Sequence, residues 1–175
     1  MSNCKICLCA VVLLMCGLFM FTGVCLAGER GYVELRTLFD KYEKTQDADK
    51  NLSELATQKQ GERDTLVKDI RRMKDEMVVL ADKGEEKVKK QAEIDQKIKE
   101  LQMFDEKTRE ELREIRDTNI QEIFSDINKL VEDYGKNKKY DFIFSDRALV
   151  YKEEKFNITN VILEKLNNKY KKGKK

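Results

Sequence analysis

A seam of positions recurs along the first half of the chain in alternating steps of four and three: Leu38, Tyr42, Thr45, Asp49, Leu52, Ala56, Lys59, Arg63, Leu66, Ile70, Met73, Met77 and Leu80. Such spacing keeps one stripe of a helix facing a partner helix, so it predicts a coiled-coil helix whose stripe is apolar at both ends and polar in its middle. A second seam runs through Ile94, Ile98, Leu101, Asp105, Thr108, Leu112 and Ile115, then resumes one step out of phase at Ile120, Phe124, Ile127, Val131 and Tyr134. The phase jump has the form of an inserted stutter. Between the seams, "LADKGEEK" places Gly84 where one helix ends and Glu85 and Glu86 where the next begins.

If the two helices fold back antiparallel about Gly84, facing residues have numbers summing to about 168. Leu80 with Val88, Ile70 with Ile98, Ala56 with Leu112 and Leu38 with Leu130 satisfy this, while Leu66 with Leu101 and Leu52 with Ile115 miss by one. Apolar meets apolar at nearly every rung. Two legs of about 45 residues make an arm of roughly 70 Å. Its outer faces place Asp or Glu four residues before Lys or Arg, as in Asp40 with Lys44, Glu86 with Lys90 and Asp105 with Arg109. Each such pair adds only about 0.2–0.5 kcal/mol to helicity. Asp49, Lys59 and Arg63 on the seam predict a weakly held middle. Leu55, Val79, Met103 and Phe104 fall beside the seam, either as adhesive points for another chain or as a widening of the hairpin's own stripe.

The two ends of the chain differ from the arm. "RGYVEL" before it is a brief extended segment, and "YDFIFSD" and "ALVYK" after it have strand composition. Thr159 is a candidate N-cap for a closing amphipathic helix bearing Val161, Ile162, Leu163 and Leu166. "NIT" at Asn157 fits a glycosylation pattern, but a helix start accounts for it. The reading is therefore a mainly α chain with a small β part: a long antiparallel helical hairpin and a small body of three short strands and a helix. About a dozen apolar side chains oppose the ordering entropy of some forty residues, so the body is expected to self-associate. Tyr32, Val33, Leu35, Phe142, Ile143, Phe144, Leu149, Val150, Ile158, Val161, Ile162 and Leu166 are the expected oligomer body.

Composition narrows the chemistry. Charged residues are 39% of the 175, with no Pro, Trp or His, a mix that favours long solvated helices over a thick core. All five cysteines lie in the first 25 residues, where a lone Lys5 precedes an apolar run and "CLA" stands before Gly28. This reads as a secretory signal cut after Ala27, with an uncleaved anchor as the alternative. Val24 before Cys25 and Met15 before Cys16 argue against a lipidated cysteine. The chain beyond Ala27 has neither Cys nor His, so thiol nucleophiles, zinc sites and the commonest general base are absent from it. No residue earns a catalytic role, no cofactor or metal is expected, and the carboxylates lie on solvated helix faces. The terminal "KYKKGKK" reads as a solvated tail without a folded basic face, so neither nucleic acid nor an anionic surface is an expected partner of it.

The ends also carry a resemblance that extends over nearly all of the chain after residue 27. "GYVEL" followed by "LFDKYEKTQDADKNL", the charged hairpin, and "KYDFIFSDRALVYKEEKFNITNVILEKLN" together resemble the Skp, or OmpH-like, periplasmic chaperones. The resemblance implies a homotrimer with a joint β body and three projecting arms. It implies that unfolded outer-membrane proteins are held among the arms without ATP, in the periplasm. No GxxxxGK[ST] loop is present to contradict that. One departure stands out: net charge is 0 for residues 41–83 and −4 for 84–136, against +6 for 137–175. Arms without excess positive charge make electrostatic contact between their tips and a membrane weak. The rival reading is a coiled-coil spacer or tether of the cell envelope. The expected boundaries are 1–27 signal, 28–40 first strand and helix start, 41–136 arm with its tip near 84, 137–170 two strands and closing helix, and 171–175 basic tail.

Overall fold

The computed structural model describes residues 28–79 and 84–174; the expected signal segment and residues 80–83, with Leu80 of the expected seam, lie outside the described residues. Strand β1 (Glu29–Val33) leads into a short helix α1 (Leu35–Lys41) and the long helices α2 (Glu43–Val79) and α3 (Gly84–Lys138). Strand β2 (Tyr140–Ser145), 3-10 turns at Asp146–Ala148 and Glu154–Phe156, and helix α4 (Thr159–Gly173) complete the order. Gly84 opens α3 rather than closing α2, with Glu85 and Glu86 in its first turn where the helix dipole favours negative charge.

β1 and β2 pair in parallel, with Gly31 opposite Ile143 and Tyr32 opposite Phe144. Parallel neighbours require a crossover connection, and here the crossover is the entire hairpin: α2 carries the chain out and α3 brings it back. Lys139, at φ 58°, makes the turn from α3 into β2. One turn earlier, a Cβ on Gly135 would lie 3.1 Å from Ile143 Cδ1, so the missing side chain lets the strand settle on the helix.

The core joins both ends of the chain to the roots of the arm. Val33, Leu38, Tyr42, Ile123, Ile127, Ile158, Ile162 and Leu166 are buried together, each fully buried apolar side chain contributing about 1.5–3 kcal/mol. Sequence pattern alone treats the body as short of core. It misses that Ile123 and Ile127, counted as arm residues, supply a wall of it.

Four other expectations are corrected. The seam from Leu38 does not run through one helix: Tyr42 is extended at φ −69°, ψ 124°, between α1 and α2. Asn167 Oδ1 accepts the Glu43 N–H at 2.9 Å, capping α2 from the far end of the sequence. "ALVYK" is not a strand; Asp146–Ala148 is a 3-10 turn, and the other neighbour of Tyr32 is Asn157, with Ile158 N donating to Tyr32 O at 3.0 Å. Thr159 is the first residue of α4 rather than its cap. Asn157 Oδ1 accepts the Thr159 N–H at 3.0 Å, and the Thr159 hydroxyl accepts the Glu34 N–H at 2.9 Å, tying α4 to the β1–α1 turn. Finally, residues 171–173 of the expected basic tail form the last turn of α4, where Lys171 pairs with Glu43 at 2.7 Å, and Lys174 just beyond it pairs with Asp47.

Candidate functional site

The arm's register follows the antiparallel rule. Arg63 Nε donates to Asp105 Oδ1 at 2.9 Å, residue numbers summing to 168, while Lys59–Glu111 at 3.1 Å and Glu76–Lys90 at 2.8 Å sum to 170 and 166. The polar middle of the seam is thus paired across the two helices. Several charges expected to serve their own helix are drawn across: Lys90 reaches Glu76, and Asp105 takes Arg63. Glu76 accepts from Lys90 first and Arg72 second, and both hold its carboxyl below the ordinary range. Toward the body, Lys44 sits between Asp126 at 2.9 Å and Glu122 at 3.1 Å. Burial alone would lower its pKa, but the two hydrogen bonds outweigh burial and raise it. Beside it, burial and the Asp126 charge push the Tyr42 phenol up to about 12.

Between these pairs the apolar seam is thin. Ile70 and Ile94 are buried, whereas Leu66, Met73, Met77, Ile98, Leu101 and Leu112 are only half-buried. Of the four residues expected as adhesive points, Val79 is 85% exposed and Met103 61% exposed, while Leu55 and Phe104 are half-buried against the hairpin. Leu55 lines an open recess of about 360 Å³ with Ala48, Leu52, Ile115 and Tyr170, at the fork where the arm leaves the body. Val78, exposed near the tip, is missed by the seam reading, and Val88, expected to face Leu80 across the seam, is 70% exposed. Val78 stands one step off the four-three stripe, and that offset was the available signal.

On the body, the expected oligomer residues divide into two sets. Tyr32, Val33, Ile158, Ile162 and Leu166 are buried within the chain, and Leu35 and Ile143 pack half-buried against its core. None of these seven is a free surface. Phe142, Phe144, Val150 and Val161 are exposed, with the Phe142 and Phe144 rings stacked at 5.8 Å on the outward face of β2. Leu149 is half-buried and lines a recess of about 330 Å³ with Phe144, Phe156, Tyr151 and Tyr32. Tyr151 and Phe156, absent from the expected set, extend this aromatic surface. A polar knot holds the segment in place: Lys152 reaches Glu34 at 2.7 Å and lies over the Tyr32 ring, whose hydroxyl donates to Glu154 at 3.1 Å. Lys152, then Thr37, keep the Glu34 carboxyl below its ordinary range.

A family model for outer membrane protein (OmpH-like) matches residues 30–166. The chain belongs to the OmpH-like family. A crystal structure of an OmpH-like protein from Caulobacter crescentus CB15, assigned as a candidate outer membrane chaperone, superposes with a TM-score of 0.75. That likeness covers 81% of this chain and 85% of the other at 10% sequence identity, so the shared fold survives extensive divergence. No curated protein matches by sequence. The OmpH-like match starts at Arg30 in β1 and ends at Leu166 in α4, so it takes in the body and the arm together.

Proposed function

We propose that this OmpH-like protein is an ATP-independent holdase that binds unfolded outer-membrane proteins in the periplasm and prevents their aggregation. The observation that carries the proposal is the arm's surface: exposed Val78, Val79, Val88 and Met103 stand among charged residues. The recesses along and beside the arm are open rather than enclosed, which suits a shifting unfolded chain better than a rigid ligand. An amphipathic client meets several small apolar contacts with polar ground between them. Each is weak, and their effect multiplies when several arms act on one chain. The exposed apolar residues Phe142, Phe144, Val150 and Val161 of the body support assembly into a homotrimer, which would bring three arms together. No covalent step or cofactor enters this reading.

The test is aggregation of a urea-unfolded β-barrel protein diluted into buffer without nucleotide. Suppression saturating near three chains per client is the expected result. Unchanged light scattering at excess chaperone would overturn the proposal.

A further inference from the structure

We propose that the flank of α4 turned toward the end of α3 docks on the outer face of the arm helix α3 of a second copy of this chain. Helix α4 has lysines on both sides of its buried stripe of Ile162 and Leu166, and the two sides differ. On one side, Lys171 and Lys174 are matched by Glu43 and Asp47 of α2. On the other, exposed Lys165, Lys169 and Lys172 follow at helical spacing and have no carboxylate partner among the described residues. The one acid of this helix, Glu164, stands about 100° around it from Lys165 and does not cancel the row. Because Ile162 and Leu166 anchor the helix in the core, the row is held in a fixed register.

The chain carries a matching face on its arm. Glu106, Glu110 and Glu114 of α3 are exposed and have no basic partner among the described residues. Glu106 and Glu114 lie within about 40° of Glu110 around the helix. The nearest basic side chains, Lys107 and Arg113, are each about 60° from Glu110, and Arg113 is drawn to Asp117 at 3.7 Å. The three glutamates line a shallow, open recess of about 750 Å³ that continues to Gln121. From Glu106 to Gln121 is about 22 Å of helix, room for the roughly 17 Å from Val161 to Lys172. A parallel docking sets Lys165 on Glu106, Lys169 on Glu110 and Lys172 on Glu114, at offsets of 59, 59 and 58 in residue number, and the same offset of 58 sets exposed Val161 on exposed Met103. The antiparallel alternative sets Val161 on Thr118 instead. The two faces do not meet within one chain: Lys165 Nζ lies 5.8 Å from the centre of the Tyr134 ring, and Glu114 is about 30 Å back along α3 from there. Net charges of −4 for residues 84–136 and +6 for 137–175 draw the arm of one chain toward the body of another. The contact joins body to arm, apart from the outward aromatic face of β2, and it does not rest on the client-holding reading.

Sedimentation velocity of the full chain without client, over a concentration series in about 10 mM and about 1 M salt, reads the contact. A mean mass that climbs with concentration at low salt, above its value at high salt, is expected, because exposed ion pairs are screened at 1 M. Lys165→Glu/Lys169→Glu/Lys172→Glu and Glu106→Lys/Glu110→Lys/Glu114→Lys should each weaken this association about tenfold or more, the worth of three exposed pairs. Lys74→Glu/Lys87→Glu/Lys89→Glu, the same number of reversals elsewhere on the arm, should leave it within about twofold. The deciding sample is an equimolar mixture of the first two variants: each lysine row reversed in one chain meets a glutamate row reversed in the other, so association returns, which misfolded variants would not achieve. A mean mass independent of salt or rising with it, undiminished association of either variant alone, or a mixture that does not recover overturns the proposal. So does binding of polyglutamate by the wild-type chain at low salt without any concentration-dependent gain in its own mass, which would assign the lysine flank to a different acidic chain.

Discussion

Phe142→Asp separates assembly from folding. The residue is 59% exposed and stacks on Phe144, outside the buried core. Taking a phenylalanine as about 200 Å², a neighbouring subunit covering the exposed part removes about 120 Å² from water. At about 25 cal/mol per Å², that is about 3 kcal/mol per chain, or roughly 150-fold in the association constant. A carboxylate in the same place forfeits this and adds the cost of burying a charge. Within the single chain, a substitution at an exposed site changes stability by no more than about 0.5 kcal/mol. Sedimentation velocity with circular dichroism should therefore show a folded, dissociated chain. Ile143→Asp makes the contrast: Ile143 packs on Gly135 and the core, so that variant should lose folded body as well as assembly. A Phe142→Asp protein that stays fully oligomeric, or that unfolds, refutes the division of β2 into an outward assembly face and an inward core face.

Ile127→Ala, at a side chain with no exposed surface, should lower unfolding free energy by about 2–5 kcal/mol in urea titration; a loss under 1 kcal/mol would deny that α3 walls the core. Thr45 buries a hydroxyl without a hydrogen-bond partner among the described residues, so the near-isosteric Thr45→Val should stabilise by about 1 kcal/mol in the same assay, and destabilisation would contradict the packing. The lowered carboxyls of Glu34, Glu76 and Asp47 contribute stability that is complete above the ordinary values of 4.5, 4.5 and 3.8 and is lost as pH falls through their depressed values. Carboxyl NMR titration should place all three below those values, and Glu76 titrating at 4.5 would mean that its bond across the arm to Lys90 does not form.

The parts of the fold legible in sequence are those fixed by local periodicity. The four-three seam gives the hairpin and its register, because each rung repeats the same constraint, and Arg63 meets Asp105 on the expected sum. What is not legible depends on partners far away in the chain. The break at Tyr42 is capped by Asn167, 124 residues beyond Glu43, and no local signal near "KYEK" announces it. "ALVYK" has β-favouring side chains, but a strand is a pairing relation, and the available side of Tyr32 is taken by Asn157. The candidate surfaces divide in the same way. Composition locates sticky residues in "YDFIFSD" but cannot say that Ile143 faces the core while Phe142 and Phe144 face outward; the strand's alternation does so once β2 is fixed on α3. The lysine-rich end reads as a loose tail until the extension of α4 to Gly173 orders its charges onto two flanks.

The central claim is that assembled chains hold one unfolded client among their arms. Light scattering coupled to size exclusion, run on the protein alone and after mixing with an unfolded β-barrel protein without nucleotide, measures it directly. The account predicts a particle of about three chains that gains the mass of one client, an assembly of the multivalent kind that needs several weak contacts at once. A monomeric particle, or a trimer that elutes unchanged while the client aggregates, would contradict it.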